Sequence, residues 1–256
     1  MLGAIAGDMI GSPYEARPIK TLAFPMVVDA FTDDTVLTVA IAHAILTGTD
    51  YGGALQSFAR HYPDLPYGGS FWHWIWDPQR LPYGSYGNGS AMRVSPIGFA
   101  FESVAAVVAE AERSAVISHN HPEGVKGAQA AALAVFLARK GEDKGTIRRN
   151  LAAQFTYDLD RTVEEIRAEY TFDVTCQGSV PESIIAFLEA NDYTSAVKNA
   201  ISLGGDADTM ACIAGGIAQA FYKKMPSDLV LQVRQRLPEV FLAVVDRFNE
   251  TFDCAF

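Results

Sequence analysis

Helical periodicity recurs along almost the whole chain and strand-like alternation is nearly absent, which confines the fold to packed helices. Apolar residues return at helical spacing over 35–47, 51–61, 104–117, 125–140, 144–155, 180–189, 193–203, 209–223 and 228–252. Alanine, the strongest intrinsic helix former, fills several of these stretches, as in QAAALAVFLARK. Start signals agree with the pattern. Asp192 and Thr194 can cap the helix holding Ala196 to Ala200, and Pro226-Ser227-Asp228 opens the last one. The best strand candidate, EYTFDVTCQ at 169–177, reads equally as an extended loop. Across 256 residues, 49% of them hydrophobic, one large core can form. The expectation is an all-α, compact single-domain helical bundle spanning 1–256.

One long segment interrupts the helices. Residues 62–96, YPDLPYGGSFWHWIWDPQRLPYGSYGNGSAMRVSP, hold all three tryptophans and many glycines and prolines. A long loop inside a compact domain is usually functional. Its aromatics by themselves favour a packed surface loop, and its glycine-rich tail from Gly84 to Arg93 shifts the balance toward binding.

Acid and small residues gather where two helices begin. Thr32, Asp33 and Asp34 precede one apolar run. Gly204, Gly205, Asp206, Asp208 and Thr209 precede another. A carboxylate at a helix start is an ordinary cap and a partner of the helix dipole. Capping uses one acid at each start and leaves the second spare. Four aspartates brought together would repel without compensation, and a divalent cation supplies it. Carboxylate and hydroxyl donors suit Mg2+ or Mn2+ rather than zinc. Two such ions, about 3.5–4 Å apart, could clamp an oxygen-rich substrate and activate water. The expected site is thus a binuclear metal cleft at helix N-termini, with Thr32, Asp33, Asp34, Asp206, Asp208 and Thr209 as ligands.

Three further clusters suggest a shared ligand. Gly87, Asn88, Gly89, Ser90, Ala91 and Met92 form a glycine-rich turn whose amides could cradle phosphate. Arg93 beyond it could hold phosphate or anchor a carboxylate of the bundle. His119 and His121, in SHNHPEG, lie at a helix junction, where substrate contact is favoured over metal ligation. Near the start, Asp8 and Glu15 flank a Gly-Ser-Pro turn, Asp8 as a structural cap and Glu15 in a loop where a carboxylate could handle a proton.

A formal net charge of −10 argues against a broad electrostatic grip on nucleic acid, while leaving small anionic ligands possible at helix N-termini or metal ions. Three scattered cysteines make neither a disulfide framework nor a zinc pattern and fit a reducing compartment. The N-terminal stretch has no basic leader, and no run reaches the roughly 18 apolar residues of a membrane span. A soluble, cytoplasmic, monomeric protein is expected. The Asp206/Asp208 pair does not suit an aspartyl-nucleophile phosphatase, because AVKNAISLGG before it reads as helix and turn rather than strand.

In order along the chain, GDMIGSPYE, TDDT, GNGSAMRVSPIG, SHNHPEGVKGA and LGGDADT resemble the ADP-ribosylglycohydrolase family, which includes the dinitrogen-reductase-activating glycohydrolases. The resemblance runs from Leu2 to about Tyr222. It implies an all-α bundle with two Mg2+ or Mn2+ ions held by the six ligands named above. It also implies that Gly87 to Met92 hold a pyrophosphate, that His119 contacts the ligand, and that Glu15 lies near the scissile bond. The implied reaction releases ADP-ribose from an acceptor. Glu15, Asp33 and Asp34 are the catalytic candidates, with Asp34 or Glu15 assisting proton transfer, and Gly204, Gly205 and His121 join the substrate contacts. ADP-ribosylated protein is the expected substrate, arginine the default acceptor, and Trp72, Trp74 and Trp76 the candidates for acceptor recognition. Small ADP-ribose conjugates, ADP-ribosylated nucleic acid, and a silent ADP-ribose-binding protein are the alternatives.

Overall fold

The computed structural model describes residues 1–254 and 256. Among these the chain forms fifteen helices. They are α1 (Leu2–Glu15), α2 (Asp33–Thr47), α3 (Tyr51–His61), α4 (Gly69–Trp76), α5 (Gly89–Met92), α6 (Ser95–Ala100), α7 (Val104–Ala115) and α8 (Pro122–Arg139). The second half adds α9 (Lys144–Phe155), α10 (Val163–Glu169), α11 (Cys176–Leu188), α12 (Tyr193–Ile201), α13 (Ala207–Tyr222), α14 (Ser227–Arg236) and α15 (Glu239–Phe252). The all-α expectation holds. Among the described residues no strand forms, and no helix is long and apolar enough to cross a membrane.

Helix α13 is the axis of the core, buried from Ala207 to Ala220. A helix apolar all round belongs in the interior. Around it pack α1, α8, α11 and α12. Its closest partner is α1, and glycines decide that closeness. A Cβ at Gly7 would fall 2.0 Å from the Ala211 carbonyl oxygen, and one at Gly11 would fall 2.5 Å from that of Ala207. The two backbones therefore touch, which sets Asp8 and Glu15 of α1 beside the first turn of α13.

Several sequence expectations are corrected. The Gly-Ser-Pro stretch is helix, not turn, because α1 runs through Pro13 to Glu15. Proline removes one helical hydrogen bond. The Met9 carbonyl that loses Pro13's N–H accepts instead from the Asp29 amide at 2.8 Å. Residues 62–96 are not loop throughout; they contain α4, α5 and the start of α6. The 228–252 helix is two helices, because Pro238 holds Leu237 extended (ψ 138°). Of 169–177, residues 170–175 are the extended loop, Glu169 ending α10 and Cys176 starting α11; Asn88 N donates to Val174 O and Cys176 N to Tyr86 O, each at 2.8 Å, as an isolated antiparallel bridge.

Candidate active site

The N-termini of α2, α5 and α13 converge on a cleft of about 300 Å³. Its walls include Glu15, Asp33, Asp34, Gly87, Asn88, Gly89, Met92, His119, Asp206, Asp208 and Thr209. The two acidic helix starts, about 175 residues apart in sequence, do meet: Thr209 Oγ1 donates to Asp34 Oδ2 at 3.2 Å. Asp206 Oδ2 accepts from Asn88 Nδ2 at 2.8 Å, so the glycine-rich turn joins the same cluster.

Asp8 is the residue whose reach the sequence concealed. Fully buried on α1, it accepts from both the amide and hydroxyl of Thr32 and of Thr35. Its role as a cap is confirmed, but the helix it caps is α2, from across the interface. The Thr32 hydroxyl donates to Asp8 Oδ1 at 2.8 Å and accepts from the Asp34 amide. One carboxylate thus fixes the whole Thr32-Asp33-Asp34 start.

Some expected site residues stand back from the cleft wall. Thr32 is buried behind Asp34. Ser90 Oγ donates to Gly124 O at 2.7 Å, and Ala91 is buried in the core. Gly204 adopts φ +69°, a conformation that favours glycine, and Gly205 has no room for a Cβ beside Tyr170. These two shape the turn that presents Asp206, and Lys20 pins that turn by donating to Leu203 O at 2.5 Å. His121 caps α8, its Nδ1 accepting from the Glu123 amide at 3.2 Å, and its ring sits 5.2 Å from that of Tyr86. On α4 the cleft is lined by Gly69, Ser70 and Phe71, while Trp74 is buried and Trp72 and Trp76 are exposed. Arg93 lines the cleft yet is wholly buried, donating to Ser114 O and Ser118 Oγ; among the described residues no carboxylate is its partner. Tyr83, Ser85 and Leu37 also line the cleft. Ser85 belongs to the glycine-rich tail already singled out, whereas Tyr83 and Leu37 carry no motif and are revealed only by their place in the fold.

The acids are electrostatically strained. Burial first, then the charge of Asp208, pushes the carboxyls of Asp33, Asp34 and Asp206 well above the usual range. Glu15, half-buried, is raised for the same two reasons. Burial likewise lifts Asp8 to about 7, against the lowering effect of its hydrogen bonds from Thr35 and Thr32. Among the described residues none of these acids has a basic partner in an ion pair. Asp34 Oδ1 is buried without a hydrogen-bond partner. Glu15, Asp206 and Asp208 each offer an oxygen within 4.8 Å of the others, a grouping that could hold a metal ion.

A pH dependence follows. Below the ordinary carboxylate range, folded and unfolded chains both hold these protons. Between that range and the raised native values only the folded chain holds them, so stability declines as pH climbs through the window, which for Asp8 closes near about 7. Thermal melts in chelator are expected to lose midpoint steadily from about pH 5 to about pH 7. A midpoint that rose over that interval would show the acids to be compensated within the protein.

The ADP-ribosylglycohydrolase family model matches residues 1–254. The chain belongs to the ADP-ribosylglycohydrolase family. It is 28% identical to ADP-ribosylhydrolase ARH3 of Mus musculus over 98% of this chain and 87% of that protein. To the Homo sapiens protein of the same name it is 29% identical over 87% of this chain and 84% of that one. ADP-ribosylarginine hydrolase Tri1 of Pseudomonas putida (strain GB-1) is 25% identical over 91% of this chain and 72% of its own length. A solved structure titled ADP-ribosylglycohydrolase-related protein complex superposes with a TM-score of 0.74 at 22% identity, covering 97% of this chain and 95% of that one, which shows a common fold. As an ADP-ribosylglycohydrolase the chain is an enzyme that hydrolyses a glycosidic bond of ADP-ribose.

Proposed function

We propose that this ADP-ribosylglycohydrolase uses two divalent cations, Mg2+ or Mn2+, to remove ADP-ribose from modified protein, with arginine the first acceptor to test. The observation that carries the metal reading is the convergence of Asp33, Asp34, Asp206, Asp208 and Glu15 without a basic partner among the described residues, with Asp34 Oδ1 left unpaired. Thr32, Asp33, Asp34, Asp206, Asp208 and Thr209 would hold the cations, an all-oxygen donor set suited to hard ions. When bound, the cations would bring positive charge to the substrate's oxygens and lower the pKa of bound water.

The chain's own groups supply the rest. Asn88 holds Asp206 by its Nδ2 donation, and Asp8 holds the α2 start through Thr32 and Thr35. Gly87, Asn88, Gly89 and Met92 line the cleft beside His119, and the Gly87 to Met92 turn is the cradle for the pyrophosphate. Glu15 lies at the end of α1, half-buried and with its carboxyl raised, so it can carry a proton closer to neutral pH than an ordinary glutamate. Proton transfer at the scissile bond is assigned to Glu15 or to Asp34, with Asp33 beside them. An acidic cleft also attracts a cationic acceptor such as a guanidinium, and the printed name of the Pseudomonas putida relative points to arginine.

The test is ADP-ribose release from ADP-ribosylated arginine, serine and nucleic acid substrates, each with Mg2+, Mn2+ or chelator. Release from one substrate that needs the metal is the expected result. Release that persists in chelator would remove the metal reading, and release from nucleic acid alone would replace the protein substrate. Either cation should also raise the thermal midpoint, most strongly at the alkaline end, where the acids are most ionised.

A further inference from the structure

Arg93, Ser118 and His119 form a buried relay at the cleft wall, which Arg93 and His119 both line. Arg93 and Ser118 have no exposed surface, and His119 is 5% exposed. Arg93 Nη2 donates to Ser118 Oγ at 3.0 Å and to Ser114 O at 2.8 Å. Ser118 Oγ lies 2.8 Å from His119 Nδ1. The opposite ring nitrogen, Nε2, lies over the glycine-rich turn: a Cβ at Gly89 would come within 3.2 Å of it and one at Gly87 within 3.7 Å.

The direction of each hydrogen bond follows by elimination. A guanidinium only donates, so Ser118 Oγ accepts from Arg93. The serine hydrogen then needs an acceptor, and His119 Nδ1 is the remaining partner of Oγ among the described residues. Were Nδ1 protonated and donating, Ser118 Oγ would accept twice and its own hydrogen would be buried without a partner, which proteins avoid. Nδ1 is therefore the acceptor, and the ring proton resides on Nε2. Burial, then the charge of Arg93, also holds the imidazole well below its ordinary pKa, in keeping with a neutral ring.

We propose that Arg93 and Ser118 are positioning residues that fix His119 as its neutral Nε2–H tautomer, so that the ring offers a hydrogen-bond donor, and no charge, to an oxygen of the substrate above the Gly87–Gly89 turn. This use of the donor rests on the reading that the cleft binds an ADP-ribosyl group. Along this relay Arg93 acts on the ligand through two intermediaries, Ser118 and His119.

The first experiment is long-range 1H–15N correlation on the whole protein labelled at histidine, near neutral pH and without ligand, with the His119 signals identified by their loss in His119→Gln. The expected result is a pyridine-like Nδ1 and a pyrrole-like Nε2. In Ser118→Ala both nitrogens should move toward the averaged values of exchanging tautomers. The dissociation constant for ADP-ribose should rise about three- to tenfold, the effect of one hydrogen bond. His119→Gln, whose amide nitrogen reaches the ε position, should bind ADP-ribose more tightly than His119→Asn. A pyrrole-like Nδ1 in the unaltered protein overturns the proposal, and this measurement decides it even if Ser118→Ala does not fold. A pure Nε2–H form that persists in Ser118→Ala overturns the part assigned to Ser118. The spectrum needs no substrate. The expected tautomer in a protein that does not bind ADP-ribose would defeat the cleft reading and leave the tautomer lock standing.

Discussion

Asp208→Asn is expected to lower metal-dependent turnover by at least about 10²-fold, the scale of losing one preorganised charge-stabilising group, while raising the thermal midpoint in chelator. The two effects have one origin. Asp208 contributes to the raised carboxyls of Asp8, Glu15, Asp33, Asp34 and Asp206. Removing its charge relieves all five at once in the cation-free protein. Asparagine keeps an Oδ1, so the 2.9 Å hydrogen bond from the Thr209 amide survives. The proposed cation site, however, loses an anionic ligand, so Mn2+ should shift the variant's midpoint less than it shifts the unaltered protein's. Turnover with saturating Mn2+ and melts with and without chelator are the measurements. A variant that lost activity and also melted lower in chelator would make Asp208 a structural cap rather than a destabilising charge retained for function. A variant with ordinary turnover would remove it from the proposed machinery.

Much of the acidic cluster was legible because capping alone could not account for two aspartates at each of two helix starts. Repulsion argued that Asp33, Asp34, Asp206 and Asp208 needed a common partner, and their meeting across 175 positions is what the fold provides through the Thr209–Asp34 contact. The Asp8 capping role was legible too, but not its target, since no local pattern says that a carboxylate will cap another helix. Helix α1 escaped for a related reason. Gly3, Gly7, Gly11 and Pro13 are residues that weaken an isolated helix, and their i, i+4 recurrence has meaning only against a facing backbone. The split at Pro238 is legible in the sequence, since proline disfavours helix at the residue before it. The cleft walls at Leu37, Phe71 and Tyr83 were not readable, because an apolar residue announces burial without naming its neighbours.

That same glycine row carries the second large effect. Gly7→Ala is expected to destabilise the protein by about 3 kcal/mol, at or above the upper end of ordinary overpacking. In an open helix the substitution would help, since alanine is better than glycine by about 1 kcal/mol. Here the new methyl would lie 2.0 Å from the Ala211 carbonyl oxygen and 2.5 Å from its carbon, both backbone atoms that no rotamer change can move. Helices α1 and α13 must separate, and the hydrogen bond from Gly3 N to Gln219 at the other end of the interface must stretch with them. Gly69→Ala serves as the control, because a Cβ there meets nothing within 4 Å; it should be neutral or mildly stabilising. Gly11→Ala adds a functional readout. Its methyl would press on Ala207 O at 2.5 Å and Asp208 Cα at 2.6 Å, moving the site carboxylate itself. Among variants that remain folded at low temperature, Gly11→Ala should therefore lose more turnover than Gly7→Ala for the same loss in midpoint. Denaturant melts and turnover on both variants check this. Equal stability in Gly7→Ala, Gly69→Ala and the unaltered protein would mean that the two helices are not in backbone contact, and the link between the interface and the site would go with it.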